Sequence, residues 1–224
     1  MIGWLATLGA PPPVTLHAER LVLRPPRRED HAGWLDATLS AEDTLRAWQP
    51  RWPDDHLTRA AFRRRLALFD AERAMGTGYA FHLWSAFCGA GERIEGAIRL
   101  SPVMGGARSA GRLGYWVADR AAGRGLATGA VEAVTAFAFE RLRLARVEAA
   151  HVPTNAASAR VLAKAGFEAE GHARSYVEIG GTRRDHVLTA RLNPALVPEP
   201  EGGPEGEPAT EAPGCGPSAT PGVL

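Results

Sequence analysis

The stretch Ala118–Val131, ADRAAGRGLATGAV, sets Gly123 and Gly125 on either side of Arg124, with Gly129 close behind. A strand-like run precedes it and an apolar, helix-like run follows. The first amides of a helix have no intrahelical partner and sit at the positive end of its dipole. A glycine-rich turn into a helix is therefore a place where backbone can cradle a phosphate. The plainer alternative is a turn that glycine permits, with no ligand at all.

Working outward, the pattern before and after the loop predicts the fold. Arg112–Val117 alternates as a strand, and Leu126–Leu142 carries a broad apolar face suited to a helix buried against a sheet. Upstream, RLVLR (Arg20–Arg24) reads as a strand stopped by Pro25-Pro26. Residues 28–39 and Leu57–Arg73 read as helices, the second with Arg63, Arg64 and Arg65 on an expected solvent face. Tyr79–Phe87 and Arg93–Val103 are strands, separated by Gly89–Gly91, and short glycine-rich links predict antiparallel neighbours. Downstream, RVEAAHV is a strand and Asn155–Ala165 a helix closed by Gly166. Two last strands flank Gly180-Gly181. The order is β-α-α-β-β-β-α-β-α-β-β, an α+β chain with a mixed, mostly antiparallel central sheet.

Composition narrows the function classes. The 224 residues are 45 % hydrophobic, enough for one substantial core, and no apolar run is long enough to span a membrane. The start, MIGWLATLGAPPP, lacks the charged region of a signal peptide, which gives a cytoplasmic expectation. Residues 194–224 hold five glutamates, no Lys or Arg, and many Pro and Gly, so they are expected to stay disordered. The chain divides into an extension (1–14), a folded domain (15–193) and this tail. The domain's net charge of +6 is too weak to argue for nucleic acid. Cys88 and Cys215 form no framework or metal knuckle, and neither HExxH nor a zinc-ligand spacing of histidines occurs, so no metal is expected.

Three ligands compete for the glycine loop. A P-loop requires Lys after its last glycine, and none follows here. A dinucleotide fold would use Glu148 as its acid, but five residues, Ala118–Ala122, separate strand from first glycine. The third reading is a coenzyme A pyrophosphate site, since Arg120–Gly125 fits Q/R-x-x-G-x-G/A. At this point the chain resembles the GNAT superfamily of N-acetyltransferases. LGYWVADRAAGRGLAT is similar to its acetyl-CoA loop and NAASARVLAKAGFEAEG to the segment after it. SYVEIGGTRRDHVLTARL and LRAWQPRWP are similar to the closing hairpin and acceptor-side loop of the ribosomal-protein-alanine N-acetyltransferase group. The resemblance implies the GNAT fold, with a splayed cleft for acetyl-CoA. It implies cofactor contacts from Val117, Arg120, Gly123, Arg124, Gly125, Leu126, Ala127, Thr128 and Asn155, with Val117 offering its N–H to the thioester carbonyl.

Transfer of an acetyl group to an amine needs a neutral amine, a donor for the developing oxyanion, and a proton for the leaving thiolate. Many relatives supply that proton from a tyrosine where this chain has Leu162. Asn155 and Ser158 instead form the N-x-x-S of the ribosomal-protein group, which makes Ser158 the implied catalytic residue. Asn155 and Ser158 also suit a plain helix cap. The base stays open among Glu148, His151, Glu178, Asp185, His186 and water. Arg112 and Gly129 stand where relatives often carry acids. An α-amine of pKa near 8 is roughly a tenth neutral at pH 7, whereas a lysine amine is neutral in about one molecule in a few thousand. The lack of an obvious strong base thus points toward an α-amine. Trp48 is the candidate acceptor wall, with Trp52 assigned to packing. The expected partners are acetyl-CoA and a protein N-terminus, with no direct nucleic acid and no membrane. The alternatives are a small amine (aminoglycoside, polyamine or amino acid), or an acyl-CoA-binding module without turnover.

Overall fold

The computed structural model describes residues 13–85 and 92–197. The expectations for Cys88, Cys215, the Gly89–Gly91 turn, most of the 1–14 extension and nearly all of the 194–224 tail fall outside those residues. Eight strands make one sheet in the order β1-β2-β3-β4-β5-β6-β8-β7. In the chain these are β1 (Leu16–Ala18), β2 (Leu21–Arg24), β3 (Tyr79–Ser85), β4 (Arg93–Met104), β5 (Ala110–Val117), β6 (Arg146–His151), β7 (Glu168–Ile179) and β8 (Thr182–Leu192). All neighbours are antiparallel except β5 and β6. The mixed α+β architecture is as the pattern predicts.

The helices cover both faces. α1 (His31–Ser40), α2 (Glu42–Trp48) and α3 (Arg59–Met75) precede β3, while α4 (Leu126–Glu140) and α5 (Ala156–Lys164) flank β6. Side chains alternate across a strand. Phe81 therefore meets Phe137 of α4, while His82 stacks on Phe62 of α3. Leu23, Leu83, Ile98, Leu100, Val131, Val134 and Val147 form the driest part of the core, which lies between the sheet and α4. α4 is apolar nearly all round, as a helix on that face must be.

Two elements differ from the pattern-based reading. The first strand is a hairpin, β1 turning into β2 with Leu16 opposite Leu23. The segment read as a loop between two helices begins with the helical turns of α2. Both pieces are too short to show a period.

Candidate active site

β5 and β6 pair only through Ala110, Gly111 and Arg112 against Arg146, Val147 and Glu148. Beyond that the strands diverge and open a cleft of about 820 Å³. Ala118 N donates to Glu95 O (2.8 Å), so alternation aims the Val117, Tyr115 and Leu113 amides away from β4, into the divergence. The cleft passes through the sheet. Tyr115, Asn155 and Ser158 line it on the face of α4 and α5. Trp48, Arg65, His82 and Gly114 line it on the face of α1–α3.

The glycine loop sits at one mouth. Gly123 and Gly125 have φ of 74° and 80°, and a Cβ at either would meet nothing within 4 Å. The backbone is thus left-handed, as glycine allows, and open to an approaching group. Gly125 is the N-cap of α4 and brings no side chain to cap it. Gly123 and Ala127 line the cleft. The Leu126 side chain is buried, so only its amide is available here, and Arg124 is exposed. An anionic group fits this cradle of first-turn amides. Arg120 stands elsewhere than expected. Its Nε donates to Glu95 Oε2 (2.9 Å) and its Nη2 to Ile94 O (3.0 Å), with Asp36 Oδ2 at 3.0 Å from Nη2. Glu95 is 0 % exposed. A buried carboxylate demands a cation, so the Arg120 side chain fastens the loop to β4 and the backbone is left to face a ligand.

Ser158 lies in the first turn of α5 and lines the cleft. Asn155 Oδ1 accepts from the Ser158 backbone N–H at 3.0 Å, so the cap is made by Asn155. The Ser158 hydroxyl is free of that duty and lies 3.0 Å from the Tyr115 hydroxyl. Burial pushes the Tyr115 phenol up, against the opposing pull of the Ser158 bond. Leu162 is 1 % exposed and faces the core, so a tyrosine there would have no cleft to enter. Tyr115, 43 residues away, brings a phenol to Ser158 from the strand instead.

The proposed bases separate clearly. Glu148 pairs with Arg146 (3.1 Å), Glu178 is exposed, and Asp185 accepts from Ser175 N (2.8 Å); none lines the cleft. His151 and His186 both line it. Their Nδ1 atoms sit 3.0 Å from Val152 O and 3.1 Å from Arg184 O. A carbonyl only accepts, so each Nδ1 carries a proton, and the neutral form of either ring has its lone pair on Nε2. His151 pairs with Val187, so alternation puts His186 on the other face, that of α1–α3. Arg112 lies over Tyr176 at 5.7 Å, and Gly129 faces Ala18 and Leu21. Neither residue lines the cleft.

On the α1–α3 face, Trp48 is 36 % exposed and lines the cleft. Trp52 stacks on His56 (4.5 Å, 13°) and donates to Gln49, a packing role as expected. The arginine cluster departs from the solvent-face expectation. Arg63 and Arg64 are exposed, but Arg65 is half-buried, lies 4.2 Å over the Trp34 ring and lines the cleft. The sequence also gave no warning of a buried dyad. His82 Nδ1 lies 3.1 Å from Asp30 Oδ2, and Arg24 grips the same carboxylate through two nitrogens. Burial raises the Asp30 carboxyl, but the His82, Arg24 and Arg27 bonds outweigh it and hold the group at about 2. Burial pushes His82 down, so a neutral imidazole donates from Nδ1.

A through-sheet cleft between two splayed parallel strands, with a glycine cradle at one mouth, defines an acyl-CoA-dependent transferase. The acetyltransferase (GNAT) domain model matches residues 20–168, and the chain belongs to that family. It is 32 % identical over 189 residues to the [ribosomal protein uS5]-alanine N-acetyltransferase of Escherichia coli, covering 84 % of this chain and 95 % of that one. Mycobacterium smegmatis RimJ in complex with CoA-disulfide superposes with a TM-score of 0.74 at 29 % identity, over 82 % of this chain and 88 % of that one. The ribosomal-protein-S5-alanine acetyltransferase of Vibrio fischeri gives 0.76 at 26 % identity, over 83 % and 100 %. The protein is an acetyl-CoA-dependent acetyltransferase. Among the described residues no helix is long and apolar enough to cross a membrane, and no three His, Cys, Asp or Glu side chains are grouped to hold a metal.

Proposed function

We propose that this acetyltransferase modifies the N-terminal α-amine of a protein, with a ribosomal protein as the inferred type. The scarcity of carboxylates in the cleft carries the reading. Among the described residues its lining includes Arg65, Arg99 and three histidines, with Asp119 the one carboxylate. An aminoglycoside or polyamine brings several ammonium groups, each of which needs an anionic partner when desolvated. A protein N-terminus brings one amine that need only be neutral. The similarity to enzymes that act on a ribosomal-protein alanine points the same way.

The chemistry follows from the residues. The first-turn amides of α4 and the loop glycines hold the pyrophosphate. The Val117 N–H meets the thioester carbonyl oxygen as negative charge develops on it. The neutral amine attacks that carbon, forming C–N as C–S breaks. His186 Nε2, on the face of Trp48, takes the surplus amine proton. Ser158 gives its hydroxyl proton to the departing sulfur as the Tyr115 proton passes to Ser158; solvent in the open cleft then returns a proton to Tyr115 and takes the one on His186. The test is turnover of acetyl-CoA with peptides of varied N-termini beside a panel of small amines. Peptide kcat/KM should exceed that of any small amine; the reverse order would replace this reading by small-amine acetylation.

A further inference from the structure

Arg65 has an unusual situation. It is half-buried, yet it makes no ion pair among the described residues. The nearby Asp55 is engaged by Arg64. Its Nη2 donates to His56 O (3.0 Å) and its Nη1 lies 3.2 Å from His56 Nε2. Burial, and then the Arg65 charge, depress His56 to about 4, so this partner is a neutral acceptor, and the guanidinium charge is offset only at a distance, by the Asp55 that Arg64 already holds. One face of the guanidinium lies on Trp34. Phe62 and Trp34 pack as one cluster beside His82, and Arg65, Trp34, Phe62 and His82 all line the cleft. A cation held against rings, facing a cavity and without an ion-pair contact of its own is a receptor for an anion.

The position fits an acceptor better than a coenzyme. Arg65 is on the face of α1–α3, opposite the Ser158 side where α5 and the glycine loop lie. His82, Ala97 and Trp116 form one row across β3, β4 and β5. Two strand spacings give about 10 Å from the splay to the His82 end of that row. Ala97 and Trp116 both line the cleft along that row. An extended peptide advances about 3.3 Å per residue, so such a span corresponds to the second to fourth residue of a chain whose amine sits at the splay.

We propose that Arg65 is a specificity-determining residue that receives a carboxylate side chain, Asp or Glu, at the second to fourth position of the acceptor peptide. This rests on the reading of the acceptor as a protein N-terminus. Arg65 then supplies the charge and Trp34 and His56 hold it in place.

The test uses the full chain, acetyl-CoA and matched peptides that differ only by Glu or Gln at positions two, three and four. The unaltered protein should prefer at least one Glu peptide by about tenfold in kcat/KM, chiefly through KM, and salt should weaken the preference. Arg65→Gln should abolish that preference, bringing Glu and Gln peptides to equal kcat/KM within the variant. Arg65→Lys should keep part of it. Peptides turned over with no charge preference would overturn this proposal and leave the proposed function standing. An equal loss on Glu and Gln peptides in Arg65→Gln would overturn it too, as a purely structural role. Turnover of small amines but of no peptide would remove the functional reading and this proposal together. The Glu and Gln comparison on the unaltered protein can overturn the proposal even if Arg65→Gln does not fold, and Arg65→Lys then carries the assignment to Arg65.

Discussion

Removing the Ser158 hydroxyl separates chemistry from helix capping more cleanly than the N-x-x-S spacing suggests. The cap runs from the Ser158 backbone N–H to Asn155 Oδ1, so Ser158→Ala leaves it in place. What is lost is the 3.0 Å bond to Tyr115, worth about 0.5–1.5 kcal/mol, and the Tyr115 hydroxyl keeps Ser158 O within 3.4 Å as a substitute. The expected stability loss is therefore at the low end of that range. The catalytic effect is larger. General acids contribute about 10²–10⁴ in rate, but a thiol of pKa near 8.5 leaves readily without full protonation. The fall should be about ten- to a hundredfold, or about 1.4–2.7 kcal/mol of barrier. Steady-state thiol release should show kcat and kcat/KM falling together, with the acetyl-CoA KM steady. Tyr115→Phe should give a smaller fall, since Ser158 remains. Asn155→Ala should do the converse, costing about 1 kcal/mol in stability. A Ser158→Ala enzyme of full kcat would refute the reasoning and reduce the serine to a bystander beside the cap.

Other outcomes follow from the same geometry. Gly125→Ala and Gly123→Ala place a Cβ in open space at φ of 80° and 74°, so they should cost about 1 kcal/mol from backbone strain and weaken acetyl-CoA binding in calorimetric titration; unchanged affinity would remove the loop from the site. Arg120→Ala takes one of two cations from the fully buried Glu95, leaving Arg93, and should lower the melting temperature as well as acetyl-CoA affinity, whereas a direct phosphate contact would spare stability. Leu162→Tyr overfills the core and should destabilise by about 1–3 kcal/mol without restoring activity to Ser158→Ala. His56 is lowered from 6.5 to about 4, chiefly by burial, so the unfolded chain takes up its proton first. That contribution to stability is complete above pH 6.5 and is lost as pH falls toward 4; His56→Gln should flatten this part of a stability–pH profile obtained by denaturant titration.

Much of the fold was legible because its signals are local. The apolar surface of α4, the glycines before it and the alternation of β4 and β5 each declare themselves within a dozen residues. β1 and α2 were missed because three and seven residues cannot show a period. The candidate site is legible where a motif is contiguous, as in the loop and in Asn155 with Ser158. It was silent where contacts are distant in sequence: Tyr115 with Ser158, Arg120 with Glu95, His82 with Asp30. Arg65 is the sharpest case. Flanked by Arg63 and Arg64, it looks like one more solvated charge, and only the rotation of α3 puts it on Trp34.

The three residue pairs joining β5 to β6 have a mechanical consequence. The eight strands are two separately laddered panels, β1–β5 and β6–β8, stitched along a short seam. The inward edge of β5 past Arg112 is a row of backbone groups with no strand beside it. Native-state hydrogen exchange should find the Leu113, Tyr115 and Val117 amides among the fastest in any interior strand of the empty protein. A substrate lodged in the gap would act as filler between the panels, slowing those amides and making the two halves open as one unit rather than in sequence.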